Sequence, residues 1–271
     1  VAAIELGRRP VERIWGRTRL PPPFESLGDG GRPIGEIWFE APETQPELLV
    51  KYLFTSERLS IQVHPDIGQA KLRGLDCCKD EAWLIVEAEP GATIGMGLAR
   101  PIEREELRAA ALSGEIERLL DWRPVRSGEI LYSPAGTVHA IGAGLSLIEI
   151  QQNCDVTWRL YDYGRPRALQ IDEAVSAARL GPWSPHRAPR KAGEGRTIHV
   201  EGGHFVIERW SGARSVEVEG GETLVPVTDC GTLDGRPLEA GSVWTTDAPA
   251  RLELAPGADL LVAYPGAEAR A

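Results

Sequence analysis

GEILYSPAGTVHAIG, residues 128–142, is two short β-type runs hinged on a turn. Residues of the kind found in EILYS and VHAI favour strands, and the segment between them carries turn formers. Pro134 fixes its own φ, and Gly136 tolerates the left-handed region that a tight turn requires. The spacing Gly128-x5-Pro134-x-Gly136-x2-His139 places an imidazole directly after the turn. His139 therefore points back toward the mouth of whatever the two strands enclose. Paired strands of this kind belong to a small barrel or sandwich.

Similar runs lie on both sides of it. IGEIWFEA (34–41), LSIQVH (59–64), EAWLIVEA (81–88), GATIGMGL (91–98) and GLSLIEIQ (144–151) are short, β-type and mostly bounded by turn residues. Residues 1–35, rich in Pro, Gly and Arg, are expected to be irregular and surface-covering. Residues 102–122 are helix-like, with Leu107, Ala111, Leu119 and Leu120 spaced for one apolar side and Gly114 dividing them into two short helices. A second helical segment covers about 171–179. The Pro/Gly/Arg-rich stretch 180–196 reads as a linker or long loop.

Strands return after it, in HFVIERW, TLVPV, SVWTT, ARLELA and DLLVAYP, with a hairpin turn at Asp234–Gly235. GSVWTTDAPAR (241–251) echoes GEILYSPAGTVH, shortened by one residue, with Arg251 or Leu252 where the first copy has His139. The expected architecture is mainly β: two tandem barrels with a small helical insertion at about 102–122. The first, metal-binding domain is residues 1–185; the second, smaller and metal-free, is residues 195–271.

Composition bounds the function. The chain has 271 residues and a formal net charge of −10. That charge disfavours nucleic acid and anionic membrane as partners. Any site for an anionic ligand must then carry its own cations. Gly (30) and Pro (21) exceed average usage without a repeat period, which fits many tight turns. Cys77, Cys78, Cys154 and Cys230 form no CxxC pair, so a thiolate zinc site is not expected and the thiols are expected to be reduced. With no signal-type apolar core in VAAIELGRRP and no run of about 20 apolar residues, the expected setting is cytoplasmic.

The polar residues then fall into a pattern. In RLSIQVHPD, Leu59, Ile61 and Val63 alternate with Ser60, Gln62 and His64, so the polar three share one strand face until Pro65 ends the run. Taken alone, that is a half-exposed strand, and Glu81, at the head of AWLIV, is a solvated strand start. Residues 128–139 change this, because they fit the second signature of the cupin superfamily. The signature's trailing Asn is Ala143 here, and the usual first-motif His-x-His is Gln62-x-His64. Gln62, His64, Glu81 and His139 make a nitrogen and oxygen set suited to zinc, with Mn²⁺, Fe²⁺ or Co²⁺ as alternatives. Downstream, Thr157, Arg159 and Tyr161 would share a face opposite Val156, Trp158 and Leu160. Arg159 is either a stacking and core-capping residue or a fixed positive charge beside a developing oxyanion. His186, His199 and His204 have no partner motif and read as structural or surface residues.

LSIQVHPD, KDEAW, SPAGTVHAIGAG and IEIQQNCDVTWRLYDYGR together resemble the short bacterial form of type I mannose-6-phosphate isomerases, with IWG at 14–16 and IGEIWF at 34–39 similar to that family's N-terminal segments. The resemblance runs from about Arg13 to Asp172 and more loosely beyond. It implies tandem cupin (jelly-roll) barrels and one Zn²⁺ per chain on Gln62, His64, Glu81 and His139. It implies Arg159 as the catalytic arginine and Glu149 as the active-site acid. Lys79 would bind substrate, and Ser60, Lys51 and Arg165 would lie toward its phosphate. Cys78 stands where the family usually has Gly before that lysine. The implied reaction converts mannose 6-phosphate and fructose 6-phosphate through a cis-enediol, by a monomer or weak homo-oligomer acting on a small sugar phosphate. Two other readings remain beside it. One is a sugar-phosphate-binding regulator without catalysis, whose mark would be a lost ligand or a lost Arg159. The other is a cupin of another class, such as an iron oxygenase, against which the added Gln62 and Arg159 count.

Overall fold

The computed structural model describes residues 3–28, 30–185 and 187–270. The first hundred residues form β1 (Ala3–Glu5), β2 (Arg8–Arg17), β3 (Ile34–Phe39), β4 (Leu48–Phe54), β5 (Ile61–Val63), β6 (Glu81–Ala88) and β7 (Thr93–Leu98). The short helix α1 (Ile67–Lys71) follows β5. Helices α2 (Arg104–Ser113) and α3 (Ile116–Leu119) come next, then β8 (Leu120–Pro124), β9 (Ile130–Ser133), β10 (His139–Ile141), β11 (Leu145–Gln152), β12 (Trp158–Tyr161) and α4 (Ile171–Ala177). The remainder is β13 (Arg190–Gly193), β14 (Arg196–Val200), β15 (Phe205–Ser211), β16 (Arg214–Val218), β17 (Thr223–Pro226) and β18 (Gly231–Leu233). It ends with β19 (Arg236–Leu238), β20 (Trp244–Thr246), β21 (Ala250–Leu254) and β22 (Asp259–Pro265). No helix among the described residues is long and apolar enough to cross a membrane.

The strands make four antiparallel sheets, ordered β2-β3-β4-β11-β6-β9, β12-β5-β10-β7-β8, β1-β20-β17-β22-β15-β14-β13 and β16-β21-β18-β19. Side-chain alternation sorts their residues into layers. On β6, Trp83 and Ile85 face the five-stranded sheet, in a core with Ile94, Met96 and Ile141. Ala82 and Leu84 face the other way and join Phe205, Ile207 and Leu261 of the seven-stranded sheet. The outer face of the five-stranded sheet carries Ile61, Val63, Ala140, Trp158 and Leu160, which bury Leu107, Ala111 and Ile116 of α2 and α3. The seven- and four-stranded sheets close on Val206, Leu224, Trp244 and Leu252. Two facing sheet pairs thus pack back to back, with helices on one outer face.

Several expectations change. Residues 1–35 are not all irregular: β1 pairs with β20, and β2 forms the edge of the six-stranded sheet. Charge and proline mark edge strands, so the composition of RRPVERIWGR conceals β2. β4 and β16 were also not expected. The helical insertion stops at Leu119, because residues 120–124 become β8 and pair with β7. Gly114 divides the helices as expected, at φ +83°. A register shift after Arg159 takes Tyr161 off the shared face, to pack beside Gly114. Part of the linker is strand β13, and His186 lies outside the described residues. The reduced-thiol expectation fails for one pair. β6 and β11 are neighbours, which brings Cys77 and Cys154 to one sheet end with Cα atoms 5.7 Å apart, and they form a disulfide. Cys78 and Cys230 are buried free thiols.

Candidate metal centre and cleft

Strand parity builds the site. On the five-stranded sheet, His139 of β10 pairs with Gln62 of β5, and Gln62 pairs in turn with Arg159 of β12. On the facing sheet, Glu81 of β6 pairs with Gln151 of β11, while Glu149 lies between Trp83 and Lys51. All of them occupy the face that elsewhere carries the inter-sheet core. Gly136 holds φ +84° in the turn before His139, and its N–H donates to the His64 carbonyl at 2.8 Å. Both histidines are thereby fixed to the same turn.

His64, Glu81 and His139 are buried, and one ligand atom from each lies within 4.8 Å of the others. Glu81 Oε1 is 3.3 Å from His64 Nε2 and 3.0 Å from His139 Nε2. His64 Nδ1 donates to the Val156 carbonyl at 2.8 Å, and His139 Nδ1 to the Thr137 carbonyl at 2.9 Å. Those bonds leave both Nε2 lone pairs facing the carboxylate, the arrangement that supporting contacts give to metal-binding imidazoles. Among the described residues, His64 Nε2 and Glu81 Oε1 are buried without a hydrogen-bond partner, while Glu81 Oε2 meets the Lys79 ammonium. Ligands about 2.0–2.2 Å from a tetrahedral zinc lie roughly 3.3 Å apart, so this set fits a divalent ion. The Gln62 amide lies beside this set, with its Nε2 3.2 Å from His139 Nε2 and its Oε1 accepting from Ser60 Oγ at 3.0 Å.

The charge states suit that use. Burial, helped by the Lys79 ammonium, pushes His64 down to about 4, so its imidazole is neutral. Burial would raise the Glu81 carboxyl, but Lys79 and the two imidazoles outweigh it and hold it well below the usual range. Lys79 Nζ stands 3.0 Å from Glu81 Oε2. Burial would lower Lys79, yet Glu81 and Glu149 outweigh it and push it up.

Above the cluster opens a cleft of about 550 Å³, with Gln62 and Ser60 in its wall. Arg13, Lys51, Lys79, Arg159 and Arg167 line it, against the carboxylates Glu12, Glu36, Glu149 and Asp155. In a chain of formal charge −10, this is a local concentration of cations. Most are already paired. Arg13 meets Glu36 at 2.8 Å, Lys51 lies 3.5 Å from both Glu149 and Asp155, and Arg167 grips Asp162 with two hydrogen bonds. Arg159 differs: among the described residues no carboxylate lies within ion-pair distance of it, and its Nε is buried without a partner. Its backbone is clasped by Gln170 just before α4. Burial and the nearby Arg167 lower its pKa, although an arginine stays charged.

The structure therefore gathers Gln62, His64, Glu81, His139, Arg159, Glu149, Lys79, Ser60 and Lys51 around one cleft. Arg165 is not among them; its guanidinium is held by Glu57, Asp162 and the Arg58 carbonyl. Arg167, two residues on, lines the cleft instead, because the Tyr163–Gly164 turn, with both residues at positive φ, reorients the chain. Sequence reading also passed over Arg13, Asp155 and Trp83, whose indole donates to Glu149 Oε2 at 2.9 Å. The motif segments IWG and KDEAW contain or adjoin Arg13 and Trp83, but no spacing rule singles them out. The Cys78 thiol is buried and donates to Gln152 Oε1 at 3.4 Å, which also accepts from the Asp80 N–H.

No protein-family model matches the chain. A mannose-6-phosphate isomerase of Streptococcus mutans is 35% identical over 206 residues, covering 70% of this chain and 64% of that enzyme. The probable mannose-6-phosphate isomerase GmuF of Bacillus subtilis is 30% identical over 241 residues, covering 73% of this chain and 76% of that protein. The crystal structure of the mannose 6-phosphate isomerase from Bacillus subtilis superposes with a TM-score of 0.82 at 25% identity, over 97% of this chain and all of that one. The fold is the mainly β, cupin-type fold of that structure.

Proposed function

The chain belongs to the mannose-6-phosphate isomerase family, and we propose that it interconverts mannose 6-phosphate and fructose 6-phosphate with one zinc ion in the cleft above His64. The observation that carries the proposal is the buried cluster in which Glu81 Oε1 meets the Nε2 atoms of His64 and His139, beside an arginine, Arg159, with no carboxylate within ion-pair distance among the described residues. His64, Glu81 and His139 would hold the metal, with the Gln62 amide as the fourth donor. When bound, zinc supplies a Lewis-acid charge for the sugar's carbonyl and adjacent hydroxyl.

The remaining work falls to side chains. An aldose–ketose isomerisation moves a proton between C1 and C2 of the open-chain sugar, by way of a cis-enediol. Negative charge builds on the substrate oxygen as the proton leaves, and Arg159 would stabilise it, a role supported by the absence of a carboxylate within ion-pair distance among the described residues. Glu149 is the proposed proton carrier. Trp83 fixes one of its oxygens, and the other faces the cleft beside Lys51. Lys79 would hold a sugar hydroxyl next to the metal ligands. Ser60 and Lys51 would lie toward the phosphate, and the contact expected of Arg165 passes to Arg167, which faces the cleft. The same reading sets the protein in the cytoplasm with its sugar-phosphate substrate.

The test is direct. Protein stripped with a chelator and reloaded with zinc should form fructose 6-phosphate from mannose 6-phosphate in a coupled assay, while the stripped form should not. Zinc-loaded protein that binds the sugar phosphate without converting it would instead be a regulator.

A further inference from the structure

Lys79 lines the cleft and Glu81 joins the buried cluster beneath it, but the residue between them points to the opposite side of the strand. Asp80 is 3% exposed, and its carboxylate accepts three hydrogen bonds from two segments far apart in the chain, residues 132–135 and His204. The Ala135 N–H of the turn before His139 donates to Oδ1 at 2.8 Å. The Tyr132 hydroxyl of β9 donates to Oδ2. His204, just before β15 of the seven-stranded sheet, donates from Nδ1 to the same Oδ2 at 2.8 Å. The loop that brings His204 here is shaped for the approach: a Cβ on Gly203 would overlap the Tyr132 hydroxyl and stand 3.3 Å from Asp80 Oδ2.

We propose that Asp80 and His204 are positioning residues for the reaction: the C-terminal sheets, through His204, hold the segment that carries Lys79 and Glu81 in register with the turn that aims His139. A buried carboxylate with three donors is a rigid junction, and losing His204 leaves Oδ2 with the Tyr132 hydroxyl while removing its tie to the segment before β15. Neither residue lines the cleft. Their influence must pass through the backbone of residues 79–81 and 134–139. The catalytic part of this inference rests on the isomerase reading; the structural part does not.

The experiment compares the full-length, zinc-loaded protein with His204→Ala, His204→Asn, Asp80→Asn and the Asp80→Asn/His204→Ala double variant. An asparagine amide can reproduce the Nδ1 donor, so His204→Asn should restore what His204→Ala loses. His204→Ala should speed amide exchange in residues 79–82 and 134–139 by about tenfold, while leaving the C-terminal strands protected. It should lower kcat about five- to tenfold with little change in KM. The double variant should be no worse than Asp80→Asn, because both act through one contact. Unchanged exchange in His204→Ala, or effects of the two substitutions that multiply, would overturn the proposal. Should the parent protein fail to turn over the sugar phosphate, the isomerase reading falls, and the exchange measurement alone decides the tether.

Discussion

Arg159 is where electrostatics and function meet most closely. Its neighbours Arg13, Lys51 and Arg167 each have a carboxylate partner, and Arg159 has none within ion-pair distance among the described residues. An unpaired, half-buried guanidinium beside a cleft costs stability unless something anionic arrives. In the proposed reaction, that charge develops on the substrate. Replacing Arg159 by Ala should therefore lower kcat by about 10²–10³-fold, the usual scale for losing one oxyanion donor. Zinc content and melting temperature should stay near the parent values, because Arg159 makes no side-chain bond to the ligand set. Steady-state kinetics with elemental analysis would decide it; near-normal turnover would remove Arg159 from the mechanism. His139 gives the contrasting case. Its Nε2 faces Glu81, so His139→Ala should lose the metal, and full zinc occupancy in that variant would exclude it as a ligand.

At the scale of elements, Glu208 on β15 clamps the outer strands of the seven-stranded sheet. Its carboxylate accepts two bonds from Arg196 of β14, one from the Trp210 indole and one from the Tyr264 hydroxyl of β22. Burial would raise the Glu208 carboxyl, but those bonds and the Arg196 charge outweigh it and lower its pKa. A lowered folded-state pKa gives stability that is full above the unfolded value of about 4.3 and is lost as pH falls through the folded one. Glu208→Gln should thus destabilise by about 2–3 kcal/mol at pH 7, the scale of charged hydrogen bonds. The gap should narrow below about pH 4; thermal melts showing the same gap at pH 7 and pH 3 would refute this role. Much of the strand layout was legible, from period-two alternation in Leu59–His64 and from a short apolar run bounded by turn residues in Glu81–Ala88, whose two faces are both buried. The cluster of His64, Glu81 and His139 was not legible from alternation alone, which reads the polar face of β5 and the head of β6 as solvent-facing; the Pro/Gly turn signature before His139 and the family resemblance pointed to it. β2 was not legible, since an edge strand tolerates Arg and Pro. That Arg167 and not Arg165 lines the cleft follows from the path of the chain after the positive-φ turn at Tyr163–Gly164, and the Cys77–Cys154 bond from strand adjacency. Neither leaves a periodic trace.

Across the whole molecule, the decisive feature is the apolar layer where the two sheet pairs meet back to back. Ile37, Phe39, Val50, Tyr52 and Leu84 of the six-stranded sheet interleave there with Val200, Phe205, Ile207, Val225 and Leu261 of the seven-stranded one. Side chains this buried are removed from water only while both pairs stay docked, so the two halves should share one unfolding transition. Phe205 is the sharpest probe: it is fully buried, and its ring meets Tyr132 edge-on at 6.0 Å. Phe205→Ala removes a large side chain from a packed layer and should cost about 3–5 kcal/mol. Calorimetry should show one peak displaced to lower temperature. Two separated peaks, with only one moved by the substitution, would mean that the sheet pairs unfold independently. Because Tyr132 also donates to Asp80, loosening this layer should reach the cleft as well. Phe205→Ala should therefore lower turnover at temperatures where the protein is still folded, by more than an equally destabilising substitution among the four-stranded sheet's own buried residues, such as Leu252→Ala. Equal activity losses for the two variants at matched stability would confine the layer's role to folding.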